Sequence, residues 1–95
     1  MSNFVGMWRG SSGEFIDISQ DGTFVGFDNC NTVAGTWSLT EHSFEMKFLG
    51  GTQKECPDVT VWLTHAETGN LEADDSLKLS NRGGQQLGVL TRQDR

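Results

Sequence analysis

The side chains with the widest chemical range in this chain are two cysteines, Cys30 and Cys56, and two histidines, His42 and His65. A nucleophilic Cys30 would need a histidine within hydrogen-bond reach and oxyanion donors beside it. Neither His42 nor His65 stands at a spacing that implies proximity, and the flanks Asn29 and Asn31 match no catalytic motif. A metal site on Cys30, Cys56 and His65 would have three ligands and no CxxC pair, short of a structural zinc set. The carboxylates Glu67, Glu72, Asp74 and Asp75 lack the alternation and fixed glycine of a calcium loop and read as a solvated turn. Gly83-Gly84 is followed by neither the helix nor the lysine that a phosphate loop needs. The expectation is a protein that is not an enzyme and uses no metal or cofactor.

Ninety-five residues suit one domain spanning residues 1–95. Thirteen acidic against seven basic residues give a net charge of −6, with no basic stripe. The expectation is therefore no nucleic-acid partner, because phosphate binding rests on clustered Lys and Arg. No apolar run approaches the roughly 18 residues of a membrane-spanning helix. The opening Met1-Ser2-Asn3-Phe4-Val5-Gly6 lacks the basic and apolar regions of a secretory signal, so the expected location is the cytosol. There both cysteines are expected as reduced, adjacent, structural thiols. One disulfide between them is equally allowed by the count and would stabilise the fold by roughly 3–4 kcal/mol in the chain-entropy model.

Short apolar segments separated by Gly- and Asp-rich turns point to a mostly β domain. Strands are expected from Phe4 through Trp8, Phe15 to Ile18, Phe24 to Phe27, Thr36 to Leu39, Phe44 to Phe48, Leu71 to Ala73, Leu77 to Leu79 and Leu87 to Leu90. Asp21-Gly22 is a hairpin signal, and Asn81-Arg82-Gly83-Gly84 marks a second turn. Phe44, Met46 and Phe48 alternate with Glu45 and Lys47, the period of a half-buried strand. One helix is expected over residues 57–67. There Val59, Trp62, Leu63 and Ala66 form a one-face stripe, with Pro57 and Asp58 suited to its start and Gly69 to its end. Gly6-x-Trp8 and Gly35-x-Trp37 form a weak internal echo of two similar strand pairs.

The segment Asp28-Asn29-Cys30-Asn31, then Gly35-Thr36-Trp37, then Gly51-Thr52-Gln53-Lys54-Glu55-Cys56, resembles the META domain, the HslJ-like family. Gly6 and Trp8 near the start and Leu77-Lys78-Leu79 near the end extend the resemblance over nearly the whole chain, in order. It implies a compact curved antiparallel or barrel-like sheet with one helix packed against it. It implies no assigned reaction, since the family is associated with stress, motility and envelope phenotypes, and many members are exported or lipid-anchored.

The shared residues Gly6, Trp8, Cys30, Asn31, Gly35, Trp37, Thr52 and Cys56 are expected to act structurally. Gly35 would let the chain bend so that Trp37 turns into the core. Asn31 would satisfy backbone groups at a strand end or take a left-handed conformation, and Thr52 would cap the turn toward the helix. The functional expectation is a module acting through contact with an unknown protein, in a stress-related setting. The alternative is a carrier of a small apolar ligand, because Gly-x-Trp is also similar to lipocalins, where the Trp closes one end of a barrel.

Overall fold

The period-two alternation of apolar residues is realised as a closed ring of strands. The computed structural model describes residues 4–40, 43–59 and 61–93. Its strands are β1 (Gly6–Arg9), β2 (Phe15–Ile18), β3 (Thr23–Phe27), β4 (Thr32–Leu39), β5 (Phe44–Gly51), β6 (Thr68–Leu71), β7 (Ser76–Ser80) and β8 (Gln86–Arg92). Each pairs antiparallel with the next, and β1 meets β8 through Trp8↔Arg92 and Arg9↔Thr91 to close an up-and-down barrel. The β1–β2, β3–β4, β5–β6 and β7–β8 connections therefore share one end, here the upper. The chain's described termini and the other three connections share the lower end.

An eight-stranded barrel is just wide enough for side chains to fill it. Here the inward positions of successive strands do so: Trp8, Ile16 and Ile18, Phe24, Phe44 and Met46, Leu77 and Leu79, and Leu90. Packing this tight needs gaps opposite the large rings. A Cβ on Gly35 would stand 2.7 Å from the Phe24 ring and 2.1 Å from the Lys47 carbonyl oxygen, beside the bulge between Ala34 and Gly35. Gly35 thus makes room for Phe24 rather than bending Trp37 inward. Because the nearer obstacle is backbone, Gly35→Ala is expected to cost about 1–3 kcal/mol in urea unfolding. Gly69, read as a helix stop, instead faces inward on β6 beneath Phe44, Leu77 and Leu79.

Trp37 is also placed differently from expectation. It is half-buried at the lower end, its indole N–H donating to the Ser19 carbonyl at 2.7 Å and its ring 5.7 Å from Phe44. The fully buried tryptophan is Trp8. Trp37→Ala should therefore lose about 2 kcal/mol, one aromatic pair and one hydrogen bond, below the roughly 3–5 kcal/mol of a fully buried ring. Thermal melting checks the ordering of the two.

The sixth strand is shifted along the chain. The strand expected over Leu71 to Ala73 ends at Leu71, and residues 72–75 make the β6–β7 turn. There Asp74 accepts hydrogen bonds from the Ser76 hydroxyl and N–H, Asp75 takes φ 65°, and Arg92 pairs with Asp75 at 3.0 Å. Asp21 treats Thr23 in the same way in the β2–β3 hairpin. Led by these hydrogen bonds, Asp21 and Asp74 both titrate below the ordinary carboxylate value.

The helix over 57–67 does not form; among the described residues its helical piece is a 3₁₀ turn, Leu63–His65. Pro57-Asp58 acts as a β-turn, with the Val59 N–H bonding the Cys56 carbonyl at 3.1 Å. The segment is held at Cys56 and again where β6 begins, and its β-branched Val59, Val61 and Thr64 disfavour a helix between those anchors. The stripe was partly right about burial: Leu63 and Ala66 are buried and Trp62 half-buried, but Val59 is exposed.

Candidate functional site

The upper end of the barrel gathers the Cys-Asn and Thr-x-x-x-Cys motifs. Cys30 lies in the β3–β4 connection and Cys56 beyond β5, and their sulfurs are bonded across a Cα–Cα distance of 5.8 Å. The expected reduced thiols are thus a disulfide, which ties the β5–β6 connection to the barrel rim. Neither sulfur can then act as a thiolate nucleophile or metal ligand. His65 is exposed on the 3₁₀ turn, and His42 lies outside the described residues.

Asn31 works beside the disulfide as a backbone mimic. Its Oδ1 accepts from the Lys54 N–H at 2.6 Å and the Thr52 hydroxyl at 2.8 Å, while its Nδ2 donates to the Lys54 carbonyl at 3.2 Å. Thr52 Oγ1 accepts in turn from the Thr32 N–H at 3.1 Å, and the Thr52 N–H returns to the Thr32 carbonyl at 3.0 Å. One amide side chain thus satisfies both backbone groups of Lys54 where the sheet ladder has ended. The left-handed residue here is Asn29, at φ 78°, not Asn31.

Two buried carboxylates support this rim: Asp28, quoted in the motif segment without a role, and Glu14, which lies outside it. Asp28, 4% exposed, accepts the N–H groups of Cys30 at 2.9 Å and Asn31 at 2.5 Å through Oδ1. Glu14, equally buried, accepts from the Ser12 N–H at 3.3 Å and from Asn29 Nδ2 at 2.8 Å. The signals were present. Asp28 stands two and three residues before the amides it caps, as in an Asx turn. Glu14 precedes Ile16 and Ile18 at period two, which aims it at the same inner face.

From the rim, residues 61–66 cross the barrel mouth. Leu63 and Ala66 are buried beneath it, and Trp62 lies against Gly88, where a Cβ would stand 2.6 Å from the ring. Between this crossing and β5 runs a groove of ≈ 340 Å³ lined by Asp28, Val33, Phe48, Gly50, Val61 and Thr64, among others. The structure therefore unites Cys30, Asn31, Thr52 and Cys56 at the mouth. Gly35 lies in the barrel wall, and Gly6, Trp8 and Trp37 serve the lower half.

The carboxylates of the β6–β7 region are spread over separate pairings. Glu67 meets Arg82 at 3.3 Å and Glu72 meets Lys78 at 3.2 Å, both exposed. Gly83-Gly84 forms the β7–β8 turn, with Gly84 at φ 86°.

The fold and rim together define a small up-and-down β-barrel filled by its own side chains, with its upper mouth stapled by a disulfide. The META domain model matches residues 9–94, and the chain belongs to the META domain family. Among solved structures, it is similar to the NMR structure of a protein from Burkholderia xenovorans. That match has a TM-score of 0.64 and 20% identity over 96% of this chain and 80% of the other, a likeness of fold. No curated protein matches the chain.

Proposed function

We propose that this META domain is a non-enzymatic module that acts by contact with another protein. The observation that supports it most is the filled barrel: Trp8, Phe24, Phe44, Leu63, Leu77 and Leu90 occupy the space an internal ligand would need. Recognition then falls to the outer surface and the mouth, where Leu49 is 63% exposed on β5. Carriage of an apolar ligand inside the barrel finds no support in this packing. A stress-related setting follows from the family's associations. The Cys30–Cys56 bond favours an oxidising compartment over the cytosol expected from the sequence.

Photo-crosslinking of the protein at native abundance in its own cells tests this reading. A stoichiometric adduct with one defined protein is expected. A turnover activity that disappears on changing a single side chain, with the barrel still folded, would overturn it.

A further inference from the structure

The barrel is closed unevenly. β5 has eight residues, yet only Phe44 and Glu45 pair with β6, as Phe44↔Gly69 and Glu45↔Thr68. The Met46 N–H adds one bond to the Glu67 carbonyl at 2.9 Å, and the chain of the β5–β6 connection then leaves the strand. Backbone groups point to alternate sides along a strand, so Phe48 presents its N–H and C=O to the same side as Met46. No hydrogen bond from the β5–β6 connection reaches Phe48 among the described residues. From Phe48 to Gly51 the open edge is about 10 Å long, with Leu49 the extra residue of the bulge opposite Ala34 and Gly35, room for about three residues of extended chain.

This edge forms one wall of the mouth groove, and Val61 and Thr64 stand on the opposite wall. The charged residue among the groove's lining is Asp28. Its Oδ1 is occupied by the Cys30 and Asn31 amides, and no protein hydrogen bond reaches Oδ2 among the described residues. No fully buried side-chain polar atom among the described residues lacks a partner, so Oδ2 keeps a narrow contact with solvent although Asp28 is 4% exposed, and Asp28 lines the groove. A carboxylate oxygen at the end of an unpaired strand edge calls for a cation on a β-strand.

We propose that the groove between β5 and residues 61–64 receives an extended basic segment of a partner protein. That segment is added as a strand on the Phe48–Gly51 edge, with a Lys or Arg side chain on Asp28. The proposal rests on the protein-contact reading above and gives it a surface and a partner chemistry. Main-chain pairing supplies affinity in such strand addition, and the charge selects the sequence. A second copy of this chain, at net charge −6, is a poor match for a groove whose charged lining residue is Asp28.

The test is an amide-shift NMR titration of the oxidised protein with three capped seven-residue peptides. The first alternates Lys and Val, the second alternates Glu and Val, and the third is the Lys peptide N-methylated at alternate backbone nitrogens. The Lys peptide should shift the amides of Phe48–Gly51 and of Val61–Thr64. The Glu and N-methylated peptides should bind at least about tenfold more weakly. Asp28→Asn keeps an oxygen for the Cys30 and Asn31 amides and should weaken the Lys peptide by about tenfold, with the fold unchanged.

Equal binding of the Lys and Glu peptides, an undiminished N-methylated peptide, or shifts confined to another face would each overturn the groove assignment. So would no shift at millimolar peptide. If crosslinking in cells still gives a defined partner, the groove alone is wrong; if it does not, the protein-contact reading fails with it.

Discussion

Trp8→Ala is expected to be among the most damaging single substitutions in this barrel, costing about 3–5 kcal/mol. The indole is fully buried, and its N–H donates to the Phe4 carbonyl at 2.8 Å, so it holds the entering chain as well as filling the lower half. The Arg92 guanidinium lies 4.3 Å from the ring centroid, donates to the Val5 carbonyl at 3.2 Å and pairs with Asp75. Trp8 and Arg92 also form one of the two residue pairs joining β1 to β8, so the loss falls on the barrel's closing seam. A domain of this size has roughly 5–14 kcal/mol of stability, so the variant should melt at least about 12 °C lower or fail to fold. Trp8→Phe keeps most of the bulk but loses the N–H and part of the cation–π contact, and should fall between. A melting temperature for Trp8→Ala within a few degrees of wild type would contradict the placement of this ring.

The second large effect is expected from the disulfide. Replacing Cys30 and Cys56 together by Ala should cost about 3.5 kcal/mol, the loop-closure figure for the 26-residue separation they span. In that model the loss arises mainly in the unfolded chain, so the eight strands should survive in the native state. Reduction of the wild type should lower the urea midpoint as far as the double substitution does. Intact-mass alkylation under denaturing conditions should find no free thiol before reduction and two after it. A reduced protein as stable as the oxidised one, or two thiols reactive from the start, would contradict the staple.

Strand character was legible wherever alternation was strong. Phe15–Ile18 carried the same bounds in sequence and structure, and Phe44, Met46 and Phe48 marked β5 although its last three residues extend past the pattern. The start of β4 is hidden because Ala34 and Gly35, poor strand formers, separate Thr32-Val33 from Thr36-Trp37. Their pairing with Phe24–Phe27 and with Gly50 and Gly51 decides their conformation. The helix failed because its period fitted residues that bury for a different reason, closing a mouth from a chain tied at Cys56. Cys30, Asn31, Thr52 and Cys56 of the resemblance meet at the rim, where Asp28 is quoted in it without a role and Glu14 and Arg92 lie outside it. Arg92 follows Leu90 at period two and so lies on the inner face, but its stacking on Trp8 depends on which strands close the ring. Closure is set by pairing between chain ends and leaves no local mark.

The central claim is that the motif residues at the rim hold the β5–β6 connection across the barrel mouth and thereby form one wall of the groove. Native-state hydrogen exchange, followed amide by amide in oxidised and reduced protein, tests it most directly. The informative amides are Lys54, bonded to Asn31, and His65 and Ala66, bonded within the 3₁₀ turn. Reduction should speed exchange at these three by about tenfold or more while amides inside β2, β3 and β7 slow or speed only with global stability. Unchanged protection at Lys54, His65 and Ala66 after reduction would contradict the claim.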